Sequence, residues 1–104
     1  MTLTEIRCIG HQRERDEAFK SWVQTQPEWH CLLHGPGCGP PEPARVRSKG
    51  TGGSDYWLLP LCFDAHRDSH DKPAWWYANR VVVAEWCAFL PTLWARYAQE
   101  HPDA

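Results

Sequence analysis

The sequence lacks several features that would quickly assign it to a class of protein. It has no run of about 18 apolar residues that would cross a membrane, and no charged-then-apolar leader at its N-terminus. It also has no repeats or low-complexity tails. We therefore expect a soluble, cytoplasmic, unprocessed protein that does not bind membranes. The formal net charge of −2 gives no overall attraction to nucleic acid, so DNA binding would require a local basic patch.

A disulfide scaffold is also not expected. The five cysteines are an odd number and no secretory leader accompanies them. For Cys8 and Cys87 the simplest interpretation is a small buried apolar residue, and Cys87 lies in the apolar stretch "VVVAEWCAFL". The 104 residues make one domain, 1–104, with little margin of stability, for which a bound metal would be a useful staple.

Hydrophobic patterning divides the chain into three parts. An amphipathic helix is predicted over about 13–26, ended by Pro27. A glycine- and proline-rich region over about 30–72 contains a turn, "ARVRSK" as a short strand, the buried strand "YWLLPLC" and a short helix over "FDAHRDSH" that ends at Pro73. Helices follow over about 74–100, interrupted or restarted at Pro91. This order predicts an α+β fold.

Three cysteines are candidate metal ligands. Cys31 and Cys38 flank the glycine-proline turn of "CLLHGPGC", and Cys62 follows the buried strand. Thiolates and imidazoles in a tetrahedral shell suit zinc, and His34, or else His30 or His66, would complete it. The alternative is that these cysteines are reduced and unliganded, with the turn held by packing alone.

His66 and His70 are four residues apart, so on a helix they share one face. Two imidazoles leave coordination positions open on a divalent ion, which could then stabilise phosphoryl charge. The alternative is that both are solvated surface residues. A second cluster is basic, with Arg45, Arg47 and Lys49 in "ARVRSKG" and Arg67 near in space; it is either a phosphate-binding patch or a solvated turn.

The stretch "CLLHGPGC…PARVRSKGTGGSDYWLLPLCFDAHRDSH" resembles the cysteine-rich HNH endonuclease-like proteins of phages and prophages. The resemblance runs from about Phe19 to Tyr97 and implies a small ββα-metal core with an N-terminal helix and C-terminal helices. It implies structural zinc on Cys31, Cys38 and Cys62. It also implies a catalytic divalent metal, Mg²⁺, Mn²⁺ or Ni²⁺, on His66 and His70 if the protein is active, and no small-molecule cofactor.

Two positions depart from the pattern of that family. Arg45 stands where the family has the histidine that activates water, and arginine remains protonated at any usable pH. Ala65 stands where the family usually has its fourth zinc ligand, so His34 or His66 would have to fill that place. Each departure weakens one of the two implied sites.

Three functions are compatible with the sequence. The first is a catalytically degenerate HNH-like phage or prophage protein that binds DNA or a host protein, for example as an inhibitor of a host defence nuclease. The second is an active, metal-dependent DNA endonuclease in which Arg45 clamps the scissile phosphate. The third is a small structural domain. The acidic net charge favours a protein partner over DNA.

Overall fold

The computed structural model describes residues 15–46 and 53–102, apart from the side chain of Cys38. The fold is α+β, as predicted. In chain order its elements are helix α1 (Glu17–Val23), a short 3-10 helix (Pro36–Cys38), strands β1 (Glu42–Arg45) and β2 (Leu58–Leu61), and helices α2 (Phe63–Asp71), α3 (Trp75–Ala78) and α4 (Arg80–Glu100). Cys8, Arg47 and Lys49 lie outside the described residues.

The two strands form an antiparallel pair in which two prolines, Pro43 and Pro60, lie opposite each other. Proline has no N–H to donate, so it is tolerated only where the ladder needs no bond. The N–H of Val46 donates to Trp57 O at 3.0 Å, and antiparallel pairs alternate between bonded and unbonded. The proline pair, three positions further along, is therefore unbonded. The outward carbonyl of Pro60 instead accepts from the N–H of Leu32 at 3.0 Å.

Helix α4 packs against β2 and supplies much of the core. Val83, Trp86, Leu90 and Leu93 are buried on one face of it. The indole N–H of Trp86 donates to Leu58 O at 2.7 Å. The indole of Trp94 donates to Tyr56 O at 3.0 Å, so the tryptophans also satisfy backbone carbonyls along β2 and its approach.

The predicted break at Pro91 is wrong. Helix α4 runs without interruption from Arg80 to Glu100, although a proline in a helix interior costs about 3 kcal/mol. Pro91 itself is exposed, whereas Leu90 and Leu93 beside it are fully buried. Each buried leucine contributes about 1.5–3 kcal/mol, and together with the rest of the buried face they outweigh the proline.

Two other predicted boundaries also move. The first helix ends at Val23 rather than near Gln26, because the chain turns at once: the N–H groups of Thr25 and Gln26 donate to carbonyls three residues back. The strand predicted over "ARVRSK" begins earlier, at Glu42, since Glu42 and Pro43 already pair with β2. Cys87 is fully buried, as predicted. In the described ranges no helix is long and apolar enough to cross a membrane.

Candidate metal centre

Three predicted metal ligands converge where β2 passes into α2. Cys62 follows β2 directly and is the residue before the first turn of α2. Cys31 and His34 come from a tight turn in which the N–H of Gly35 donates to Cys31 O at 2.9 Å. Gly35 has φ of +65°, a left-handed conformation in which most side chains would be strained. The bond from Leu32 to Pro60 holds this turn against β2, two residues before Cys62.

The geometry of the three side chains fits a metal ion. His34 Nδ1 lies 3.3 Å from Cys62 Sγ and 3.8 Å from Cys31 Sγ. All three ligand atoms lie within 4.8 Å of one another. Metal–ligand bonds of about 2.0–2.3 Å at tetrahedral angles would separate sulfur and nitrogen by about 3.6 Å, so the observed distances lie on either side of that value. Cys31, His34 and Cys62 can therefore hold a metal ion, and two thiolates with an imidazole are donors typical of zinc.

A structural zinc site has four ligands, and the described residues supply three of them. Ala65, at the position where the resembled family carries a ligand, is buried one helical turn beyond Cys62 and offers no donor. The backbone of Cys38 ends the short 3-10 helix that follows the turn, while its side chain lies outside the described part. The prediction that Cys38 joins Cys31 and Cys62 therefore stays a prediction.

His66 and His70 do not belong to this cluster. Their rings are neighbours on α2, with centroids 5.1 Å apart, as the spacing predicted. His66 is not drawn toward the cysteines; its Nδ1 contacts Glu42 Oε1 on β1 at 2.9 Å. In the described part of the chain, Cys31, His34 and Cys62 form the one group of three or more histidine, cysteine or acidic residues whose ligand atoms all lie within 4.8 Å of one another.

Arg45 lies at the other end of β1, in an ion pair. Its Nε donates to Asp55 Oδ1 at 2.9 Å, and its side chain is 14% exposed while that of Asp55 is 0% exposed. The backbone N–H of Asp16 donates to the second oxygen, Asp55 Oδ2, at 2.8 Å. Asp16 also caps α1 and accepts from the Tyr56 hydroxyl at 2.6 Å. The guanidinium at the position of the expected base thus belongs to a structural network.

The charge of Asp55 is stabilised by this network. Burial acts most strongly and would raise the pKa of Asp55. The hydrogen bonds from Asp16 and Arg45, together with the positive charges of Arg45 and Lys20, outweigh it, so the pKa of Asp55 lies below its ordinary value of 3.8. Asp55 is therefore ionised at neutral pH and pairs with a cationic Arg45.

The described basic side chains of α2 are also engaged by carboxylates. Arg67 lies 3.5 Å from Asp64, and Lys72, the residue after the helix, lies 3.4 Å from Asp68. These are exposed pairs within one turn, and they are easily exchanged for water. They nevertheless reduce the positive field that this surface would offer to a phosphate backbone.

Sequence reasoning overlooked two features. Cys31 and His34 are separated by two residues, which is the tight spacing of a zinc knuckle. Sequence reasoning considered only the wider turn between Cys31 and Cys38 and treated His34 as one of several completing ligands. The partners Glu42 and Asp55 were not singled out at all. Nothing in the sequence marked them, because each contacts a residue that is distant in the chain.

Comparisons of the chain with protein-family models, with curated proteins and with solved structures found no match.

Proposed function

We propose that this chain is a zinc-stapled ββα domain of the HNH-like type that acts by binding a partner rather than by cutting DNA. Its metal would be structural, held by Cys31, His34 and Cys62 with Cys38 as fourth ligand. A closed shell of four protein ligands leaves no position for water or substrate, which is typical of structural zinc. The order strand, strand, helix and the position of the cluster at the end of β2 support this assignment.

The proposed absence of catalysis rests on one observation, the ion pair between Arg45 and the buried Asp55. Arginine cannot accept a proton at neutral pH, so it cannot activate water. Releasing the guanidinium to clamp a phosphate would leave a buried carboxylate unpaired, which costs about 3–5 kcal/mol. Neither the base nor the phosphate clamp of an active enzyme is therefore readily supplied from this position.

We infer a protein partner in preference to DNA. The net charge is −2, and Arg45, Arg67 and Lys72 each contact a carboxylate of the same chain. Binding to DNA derives most of its non-specific affinity from cations that neutralise phosphates. In the phage setting that the resemblance implies, the partner would be a host protein.

A plasmid-nicking assay tests the proposal. Purified protein is incubated with supercoiled plasmid and Mg²⁺, Mn²⁺ or Ni²⁺, and no nicking is expected above the level of the His66→Ala and His70→Ala variants. Metal-dependent nicking that both substitutions abolish would overturn the proposal. A gel shift at low salt tests the partner class: a salt-sensitive shift would replace the protein partner with DNA.

An active nuclease is the second candidate, and one observation favours it. The rings of His66 and His70 are adjacent, and Glu42 contacts His66, so two imidazoles and a carboxylate lie in one region of the surface. Such donors suit a divalent ion that stabilises phosphoryl charge. Loss of a general base typically costs about a hundredfold to ten-thousandfold in rate, so this candidate predicts weak rather than absent nicking.

A further inference from the structure

The two described cysteines of the candidate metal centre lie close together in the fold although they are distant in the sequence. Neither Cys31 nor Cys62 is in a disulfide, and their Sγ atoms lie within 4.8 Å, although 31 positions separate the residues in the sequence. A disulfide needs the sulfurs at about 2.05 Å, a change that side-chain rotation can supply when the two β-carbons are near. The backbone already holds the turn of Cys31 against the end of β2 through the bond from Leu32 to Pro60.

A small oxidant can reach His34, the residue that contacts both sulfurs. Both cysteines are almost fully buried, but His34, which touches both sulfurs, is exposed. His34 and Ala65 line a cavity of about 360 Å³ beside the centre. Hydrogen peroxide is little larger than water and can enter a cavity of that size.

We propose that Cys31 and Cys62 form a reversible redox pair, which a peroxide converts from metal-ligating thiolates into a disulfide. One sulfur attacks the peroxide: an S–O bond forms, the O–O bond breaks, and the departing hydroxide takes up a proton to become water. The second sulfur attacks the resulting sulfenic acid: the S–S bond forms, the S–O bond breaks, and the departing hydroxide takes up a second proton to leave as water. Two electrons pass from the sulfurs to the peroxide.

Oxidation removes two metal ligands at once. A disulfide sulfur is no longer a thiolate and does not hold zinc, so the oxidised centre releases its ion. This consequence rests on the proposed zinc site, whereas formation of the disulfide rests only on the proximity of the sulfurs. Cys87 provides the contrast, because burial raises its pKa to about 12 and leaves it protonated and unreactive.

The test is peptide mapping of the zinc-loaded full chain after treatment with hydrogen peroxide, with zinc release followed by a colorimetric chelator. We expect a Cys31–Cys62 disulfide, stoichiometric zinc release, and recovery of zinc binding after reduction with a thiol and addition of zinc. The Cys87→Ala variant should behave like the wild type. The Cys38→Ser variant should still form the Cys31–Cys62 disulfide.

Four outcomes distinguish the failures. Zinc-loaded protein whose Cys31 and Cys62 stay reduced would overturn the redox proposal and leave the zinc site intact. Oxidation of the two residues to sulfinic acids alone, with no disulfide, would also overturn it. A dominant disulfide to Cys38 would overturn the pairing. A protein that never takes up zinc but still forms the Cys31–Cys62 disulfide would support the redox pair and contradict the proposed function.

Discussion

The two ends of the strand pair are stabilised in different ways. At the metal end, formed by Cys31, His34 and Cys62, the side chains converge on one another, and His34 Nδ1 lies 3.8 and 3.3 Å from the two sulfurs. At the ion-pair end, formed by Arg45, Asp55 and Asp16, every charge has a partner and the carboxylate of Asp55 accepts hydrogen bonds at both oxygens. Under the proposed function the metal end would gain much of its stability from an ion, while the ion-pair end is held by groups of the chain itself.

Under the proposed HNH-like assignment, this difference explains why Arg45 and Ala65 would have different consequences. An arginine at the position of the base would remove a chemical function, yet Arg45 is held in place by its ion pair with Asp55, which also accepts from the N–H of Asp16. Replacing a ligand with Ala65 leaves three described donors near one point, and their geometry still fits a metal. Under the proposed function, the structural metal site would be kept, and the position of the base would serve the fold instead of catalysis.

Removing the metal should have the largest effect on the free energy of unfolding, through the loss of the interactions at the metal end. Because metal binding contributes directly to folding, a chelator should lower the free energy of unfolding by more than about 5 kcal/mol, which is about 20 °C or more in melting temperature for a domain of this size. The Cys62→Ser variant should match the chelated wild type and show no further change with chelator. Equal melting temperatures with and without chelator would mean that packing alone holds this end.

Breaking the ion pair should come next. The Asp55→Ala variant leaves Arg45 partly buried without its carboxylate, so we expect a loss of about 3–5 kcal/mol in denaturant unfolding, with zinc content unchanged. Asp64→Ala is the matched control: it removes an exposed carboxylate from an arginine, and its effect should stay within about 0.5 kcal/mol. Similar losses for the two variants would show that Asp55 is no more important than a surface acid.

When the pH is lowered, the two ends of the strand pair should lose their stabilising interactions at different pH values. The pKa of Asp55 is lowered in the folded state, so its contribution is fully present above 3.8 and is lost as the pH falls through the folded value. Wild-type protein should therefore lose more stability than Asp55→Asn below that pH. Zinc should leave earlier, at a higher pH, because protons compete for its thiolate and imidazole ligands. Zinc release that coincides with the Asp55 transition would contradict the separation.

The smallest effect is expected for His66 and Glu42. They contact each other but belong neither to the metal cluster nor to the ion-pair network. His66 is a quarter exposed and Glu42 nearly half exposed. The His66→Ala variant should change the unfolding free energy by no more than about 1 kcal/mol and leave zinc content intact. Loss of zinc in this variant would assign His66 to the metal centre.

The local parts of this architecture were predictable from the sequence. The buried strand around Leu59, the short helix carrying His66 and the burial of Cys87 follow from apolar runs and punctuation by proline. The helix break predicted at Pro91 was wrong. The destabilising effect of a proline inside a helix can be read from the sequence, whereas the burial of Leu90 and Leu93 that offsets it depends on tertiary packing. The pairing of Arg45 with Asp55 was unpredictable for the same reason, since the two come together across the hairpin.

X-ray absorption at the zinc edge of the purified, zinc-loaded protein tests the central claim most directly. The account predicts one zinc bound by three sulfurs at about 2.3 Å and one nitrogen at about 2.0–2.1 Å, with one sulfur lost in Cys38→Ser. A protein that holds no zinc, or whose zinc is surrounded by oxygen and nitrogen alone, would contradict it.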